Sequence, residues 1–235
     1  MLEMASPLVE GIGALESFTY DLEHIRPVTI AAPSVLIAQI LHEPVTTFRQ
    51  KYPKNLLRLW SRGEKDILRM VAEGDADLGI LPTADVPIGY DFSALFTLER
   101  VLIAPKGHPV SHQGDATFSG LARWPMVMLS TLSRTRRLLD DAFKKRGLRY
   151  DLVVETDSIE AIKQYVARGT GISVLPDITL SSGDAAELDI YPLTNLLIPE
   201  EVGVVTLKGK PLSSTAQNFR DELATIVKPT LKLSA

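Results

Sequence analysis

Ser130, Thr131, Ser133 and Arg134 carry the clearest chemical signal in the chain. Hydroxyls and backbone N–H groups hold a carboxylate or similar oxyanion by hydrogen bonds, and a guanidinium adds a planar, two-pronged contact. Pro33 with Ser34, Thr83, and Thr156 with Asp157 and Ser158 stand at comparable points, each just after an apolar run. A helix start has unpaired N–H groups and a partial positive charge, so it attracts anions without a charged side chain. Ser, Thr and Asp at helix starts are also ordinary caps, and capping alone accounts for any one of these residues taken singly. The cluster at 130–134 holds more polar groups than one cap requires.

Other chemistries find little support. Without cysteine there is no disulfide framework, thiolate nucleophile or Cys-based zinc site. The histidines are His24, His42, His108 and His112. His108 and His112 straddle Pro109, so they are not read as a helical metal pair. No Gly-x-Ser-x-Gly elbow, Walker A sequence or GxGxxG occurs. No catalytic residue, metal ligand or cofactor is therefore expected. The formal charge of -4 argues against a stand-alone nucleic-acid binder, while leaving open a basic domain elsewhere in the same polypeptide. Arg134, Arg136, Arg137, Lys144, Lys145, Arg146 and Arg149 read as a solvated helix face, because Asp140 and Asp141 interrupt the run. Trp60 and Trp124 are expected in the core or on a cleft wall. The N-terminal stretch has Glu3 and Glu10 and lacks a basic start, unlike a signal peptide. The apolar run from Val28, about 14 residues long and broken by Pro33 and Ser34, is too short to span a bilayer. A soluble, cytoplasmic protein with no membrane association is expected.

These residues need elements to position them, and the pattern alternates short apolar strands with amphipathic helices. Strands are expected at 28–32, 56–60 and 77–81, the last closed by Pro82. Ile37, Ile40, Leu41, Val45 and Phe48 have one-face helical spacing that ends at Tyr52-Pro53. Ser61 with Glu64 reads as a capping box for a helix that buries Ile67, Leu68 and Val71 and ends at Gly74. Further strands are expected at 100–104, 126–129, 152–155, 172–175 and 202–207, with a turn at 105–109. Helices carry Leu138, Leu139, Ala142 and Phe143, then Ile159, Ile162 and Val166 behind an Asp157–Glu160 cap pair. A last helix carries Ala216, Phe219, Leu223, Ile226 and Val227. Such alternation with short loops is the mark of an α/β fold. Residues 71–82 and 166–176 share a plan of helix end, Gly, buried strand and Pro. That is either recurrence of a common connector or the trace of two lobes of one architecture. In open α/β sheets ligands settle beyond the carboxyl ends of the strands, where the polar residues above fall.

Several of these stretches resemble one family. Pro27-Val-Thr-Ile-Ala-Ala-Pro-Ser34, followed by a helix ending Phe48-Arg-Gln-Lys-Tyr-Pro53, looks like the opening of the effector-binding domain of LysR-type transcriptional regulators. Val71-Ala-Glu-Gly-Asp-Ala-Asp-Leu-Gly-Ile80 resembles its "L-x-x-G-x-x-D-x-x-I" connector, and Val101-Leu-Ile-Ala-Pro-Lys-Gly-His-Pro109 is similar to its crossover segment. Residues 157–162 and 169–176 resemble its second-lobe helix and strand. Each motif is weak alone; their order and spacing together are specific. The resemblance implies a type 2 periplasmic-binding-protein-like fold, with two similar Rossmann-like lobes, a hinge and an interlobe cleft. Lobe I would be 27–96 plus 211–230, lobe II 97–210, and 1–26 a residual linker helix or an added segment. It implies a small, often anionic effector bound between the lobes, which alters how a dimer or tetramer holds DNA. No helix-turn-helix precedes Pro27, so DNA contact is expected only through a domain outside this sequence. Self-association is expected through the helix after the first strand. The implied effector-binding set is Pro33, Ser34, Val35, Thr83, Ser130, Thr131, Ser133, Arg134 and Thr156. Pro33 and Val35 stand where the family often has hydroxyl residues. A transporter's solute-binding protein and an enzyme on the same fold are the alternatives.

Overall fold

A computed structural model of the chain describes residues 26–82, 86–111 and 117–232. The elements run β1 (Val28–Ala32), α1 (Ser34–Ile40), α2 (His42–Lys51), β2 (Leu57–Ser61), α3 (Glu64–Glu73), β3 (Leu78–Pro82), β4 (Tyr90–Leu98) and β5 (Arg100–Pro105). They continue α4 (Phe118–Leu121), β6 (Pro125–Leu129), α5 (Arg134–Lys145), β7 (Asp151–Thr156), α6 (Ile159–Ala167), β8 (Ser173–Pro176), α7 (Asp184–Glu187), β9 (Leu188–Pro192), β10 (Glu200–Leu207) and α8 (Ser214–Lys232). The chain divides into two compact units: unit 1 is Met1–Phe96 with Val202–Ala235, and unit 2 is Thr97–Glu201.

Unit 1 is built on a five-stranded sheet of order β2-β1-β3-β10-β4. β1 lies parallel to both β2 and β3, and all five of its residues are buried. A strand flanked on both sides and covered on both faces reads as an unbroken apolar run, which is why 28–32 was legible. α3 lays Ile67, Met70 and Val71 against Ala31, Leu81 and Val205. It stops at Gly74, whose φ of 82° suits a residue without Cβ. The helix begins at Glu64 with Gly63 as its cap, and Ser61 ends β2 instead, so the expected capping box does not form. The single helix expected over 37–48 is two: α1 ends at Ile40 and α2 begins at His42. Pro44 has no N–H to give the Ile40 carbonyl, which breaks the ladder there. α2 packs on α8 through Phe48 and Phe219, edge to face at 5.3 Å.

Unit 2 repeats the plan. β7 pairs parallel with β6, a parallel bridge joins Met126 to Ile172 just before β8, and β5 runs antiparallel between β8 and β9. The order β7-β6-β8-β5-β9 therefore mirrors β2-β1-β3-β10-β4. The two similar sequence segments are the equivalent connectors, α3–Gly74–β3 and α6–Gly169–β8, with both glycines at φ 82°. Leu139 and Phe143 of α5 pack on one face of the unit 2 strands, with Met126, Met128 and Val174. Ile162 and Val166 of α6 pack on the other, with Val127, Leu175 and Ile103. α6 is capped by Ser158, whose hydroxyl accepts the Ala161 N–H at 3.1 Å; the expected Asp157–Glu160 pair is not the cap. Residues 202–210, read from sequence as the end of lobe II, lie in unit 1, because Val202–Val205 pair with β3. Among the described residues no helix is long and apolar enough to cross a membrane.

Candidate functional site

In unit 1, β1 delivers Pro33 and Ser34 to the start of α1. Pro33 holds φ −57° and its carbonyl accepts the N–H groups of Leu36 and Ile37 at 3.0 and 3.1 Å. Ser34 is exposed and Val35 half-buried, and with proline at the cap position no side chain closes the first turn. Thr83 lies outside the described residues.

In unit 2, β6 ends at Leu129 and a tight turn follows, closed by the Ser133 N–H on the Ser130 carbonyl at 2.9 Å. The strand's buried residues Met126 to Leu129 anchor the turn, leaving Thr131 exposed and Ser130 and Ser133 half-buried. Two arginines from the first turn of α5, Arg136 and Arg137, reach back and fix this loop, and a third, Arg134, turns elsewhere. Arg137 donates to the Leu132 carbonyl at 2.6 Å. Arg136 donates to the Leu129 carbonyl at 3.0 Å and to Glu155 at 2.8 Å, and grips Asp140 with Nε at 3.0 Å. Arg134 turns to Glu200: Nε donates to Oε1 at 2.9 Å and to Oε2 at 3.1 Å, and Nη2 donates to Oε1 as well.

Glu200 has a second partner. Arg100, at the start of β5 and 1% exposed, gives it Nη2 at 2.5 Å and sends Nη1 to the Leu98 carbonyl at 3.2 Å. Arg100 Nε is buried with no hydrogen-bond partner. Burial works against the charged form of Glu200, but the hydrogen bonds and charges of Arg134 and Arg100 outweigh it and hold its pKa below the ordinary glutamate range. Burial likewise pulls Arg100 below the usual arginine value, against the opposing influence of Glu200. Sequence spacing gave no hint of Arg100 or Glu200, since Glu200 lies 66 residues from Arg134 and 100 from Arg100.

The remaining expected site residue of unit 2, Thr156, ends β7 and accepts the Ser158 N–H on its hydroxyl at 3.2 Å. Structure thus brings Ser130, Thr131, Ser133 and Arg134 into one loop and helix start. The run of basic residues is not one solvated face: Arg136 is buried and Arg134 only 25% exposed, whereas Lys144, Lys145, Arg146 and Arg149 are exposed. Both Arg134 and Arg136 are drawn inward by carboxylates. Trp60 is not in the core. It is 42% exposed on the edge strand β2, with Arg62 over its ring at 5.5 Å.

No acidic residue lies in the first turn of α5, so the partial positive charge of the helix start adds to the three guanidinium groups. Arg136 is matched by Asp140 and Glu155; Arg134 and Arg100 share one carboxylate. The arrangement is suited to holding an oxyanion and has no nucleophile beside a base. Among the described residues, no group of three or more His, Cys, Asp or Glu is placed to hold a metal ion. An open groove of about 380 Å³ lies elsewhere on unit 2, lined by residues such as Asp140, Phe143 and Tyr150. Two of its polar groups are committed to each other or to a neighbour, Tyr150 to Asp140 and Asp140 to Arg136, and Lys144 and Arg149 also line it.

Residues 23–227 match the family model described as the LysR substrate binding domain. The HTH-type transcriptional regulator cbl of Escherichia coli K12 is 29% identical over 180 residues, 75% of this chain and 55% of that protein. The HTH-type transcriptional activator CmpR of Synechocystis PCC 6803 is 28% identical over 236 residues, 95% of this chain and 74% of that one. The chain therefore spans about half the length of the first of these regulators. Among solved structures, the Synechocystis PCC6803 CcmR regulatory domain in complex with 2-PG superposes with a TM-score of 0.75 at 28% identity, covering 86% of this chain and 97% of that chain.

Proposed function

The chain belongs to the LysR substrate-binding domain family, and from that premise we propose that it is the effector-sensing part of a LysR-type transcriptional regulator and binds a small organic anion. The observation that carries this reading is the loop at 130–134. It sits at the carboxyl end of a central parallel strand, is held by Arg136 and Arg137, and abuts a helix start with no acid in its first turn. Open α/β sheets receive ligands at such strand ends, and a preformed loop lowers the ordering cost of binding. Ser130, Thr131 and Ser133 supply hydroxyls, with Arg134 as the charge. Ser34 at the start of α1 is a second proposed contact, with Pro33 and Val35 shaping its surroundings; Thr83 and Thr156 complete the proposed set.

The domain acts by differential binding rather than by bond making. An effector that binds one conformation more tightly shifts the population toward it. The whole regulator would contact DNA through a helix-turn-helix domain beyond this sequence and would work in the cytoplasm. It would also self-associate. The surface proposed for this is the helix that follows β1, beginning at Ser34. Sedimentation showing only monomer at tens of micromolar would count against that. A thermal-shift screen of organic acids tests the sensing role, because a ligand of the native state raises the melting temperature by mass action. The expected hit loses its effect with Arg134→Ala; a tight ligand indifferent to that change would place the site elsewhere. The relatives are regulators of transcription, which favours this reading over a transporter's solute-binding protein.

A further inference from the structure

The Arg134–Glu200–Arg100 cluster has a property that the anion-binding reading does not by itself require. Two guanidinium groups share one carboxylate, and that carboxylate takes up the Nε and Nη2 edge of Arg134. Glu200 is 9% exposed, so its charge is poorly screened by water. Arg100 Nε, buried beside the same carboxylate, has no partner, so the cluster's donors outnumber its acceptors. Arg100 and Arg134 both lie on Glu200, and Arg100 also faces the charge of Asp177.

We propose that Glu200 is a built-in competitor at the anion site: an effector's oxyanion binds by taking Arg134 over from Glu200, which stays on Arg100. The inference rests on reading residues 130–134 as the effector site. The exchange gives each guanidinium group a carboxylate or oxyanion of its own. Before it, one carboxylate serves two guanidinium groups. After it, Arg134 is matched by the ligand, and Arg100 keeps Glu200 with Asp177 nearby. The same exchange sets the ligand class: a carboxylate, phosphate or other oxyanion able to meet a guanidinium side-on is accepted, and a neutral isostere is not. Glu200 also opens β10 and is followed by Glu201, the last residue of unit 2. Exchange at Arg134 therefore acts on the strand by which the chain leaves the unit. Glu200 is thus a specificity-setting residue that tunes affinity from within.

The test uses inorganic phosphate as the probe, titrated at constant ionic strength and followed by calorimetry and melting temperature. Wild type, Glu200→Gln, Glu200→Asp and Arg134→Ala are compared. Glu200→Gln keeps an oxygen acceptor for Arg100 but removes the competing charge, so phosphate should bind about tenfold more tightly or better, by removal of a like charge close by. Glu200→Asp, one methylene shorter and still charged, should fall between Gln and wild type; it also serves if the glutamine variant fails to fold. Arg134→Ala should bind phosphate at least about tenfold more weakly than wild type. Equal affinity in wild type and Glu200→Gln, with loss in Arg134→Ala, would overturn the exchange and leave the anion site standing. Phosphate binding unchanged by Arg134→Ala, or absent from every variant, would count against both.

Discussion

Gly171→Ala should cripple unit 2, although alanine usually favours ordered structure over glycine. A Cβ at residue 171 would lie 2.4 Å from the Pro125 carbonyl oxygen and 2.9 Å from its carbon. Both are backbone atoms at the base of β6 and have no rotamer to move aside. The hydrogen bonds at stake are Ile172 N–H to Pro125 O and Val127 N–H to Ile172 O, each 2.9 Å, which join β6 to the strand that becomes β8. Losing two such bonds costs about 1 kcal/mol each, and forcing an atom into a packed interior adds about 1–3 kcal/mol. The sum is about 3–5 kcal/mol. Gly169→Ala is the control. Its Cβ meets nothing within 4 Å, but its φ of 82° penalises any side chain. That conformation costs about 1–2 kcal/mol in an L-residue. Urea denaturation of the two variants, read from the midpoint at unchanged slope, separates the two mechanisms. Because β6 carries the loop at 130–134, Gly171→Ala should also weaken anion binding at temperatures where it remains folded. A Gly171→Ala cost no larger than that of Gly169→Ala would refute the close-approach argument.

Three further predictions follow from charged and polar groups. Burial, and then the hydrogen bond to Asp140, push the Tyr150 phenol up to about 12, so one tyrosine should ionise late in an ultraviolet pH titration and vanish with Tyr150→Phe. Stability gained from that phenol is complete below its unfolded value near 10 and is lost as pH rises through the folded value. For Glu200 the sign is opposite: its depressed pKa contributes stability above the ordinary glutamate value, lost as pH falls through the folded one. Melting curves across the acid range should therefore be flatter for Glu200→Gln than for wild type. Lys163, 7% exposed, pairs with Asp184 at 2.8 Å; Asp184 itself is 16% exposed. Lys163→Ala should cost about 2 kcal/mol, below the 3–5 kcal/mol for fully buried pairs, and Lys163→Met about half as much because the aliphatic stem is kept.

What the sequence made legible follows from how locally each feature is encoded. β1, β3, β6 and β8 are apolar runs buried on both faces, and Gly74, Gly147 and Gly169 mark helix ends that need positive φ. β4 was missed because Tyr90 to Ala94 alternates half-buried and exposed residues with Asp91 and Ser93 among them, so no apolar run appears. β9 is a five-residue strand interrupted by Asp189. The break between α1 and α2 was hidden because helical spacing continues across it, although Pro44 was there to be read. At the candidate site, the loop at 130–134 was visible as a cluster of polar types. Its electrostatic partner Glu200 was not, because it lies 66 residues further along the chain and only the folded arrangement brings them together. The inward turn of Arg136 was hidden because Glu155 reaches it from β7, the strand that pairs with β6.

Amide hydrogen exchange, with and without the organic acid that raises the melting temperature most, tests the central claim most directly. The loop at 130–133 and the first turn of α5 should exchange more slowly in the presence of the acid, because their N–H groups and hydroxyls would hold it. Unchanged exchange there, together with new protection confined to the groove around Phe143 and Tyr150, would contradict the account.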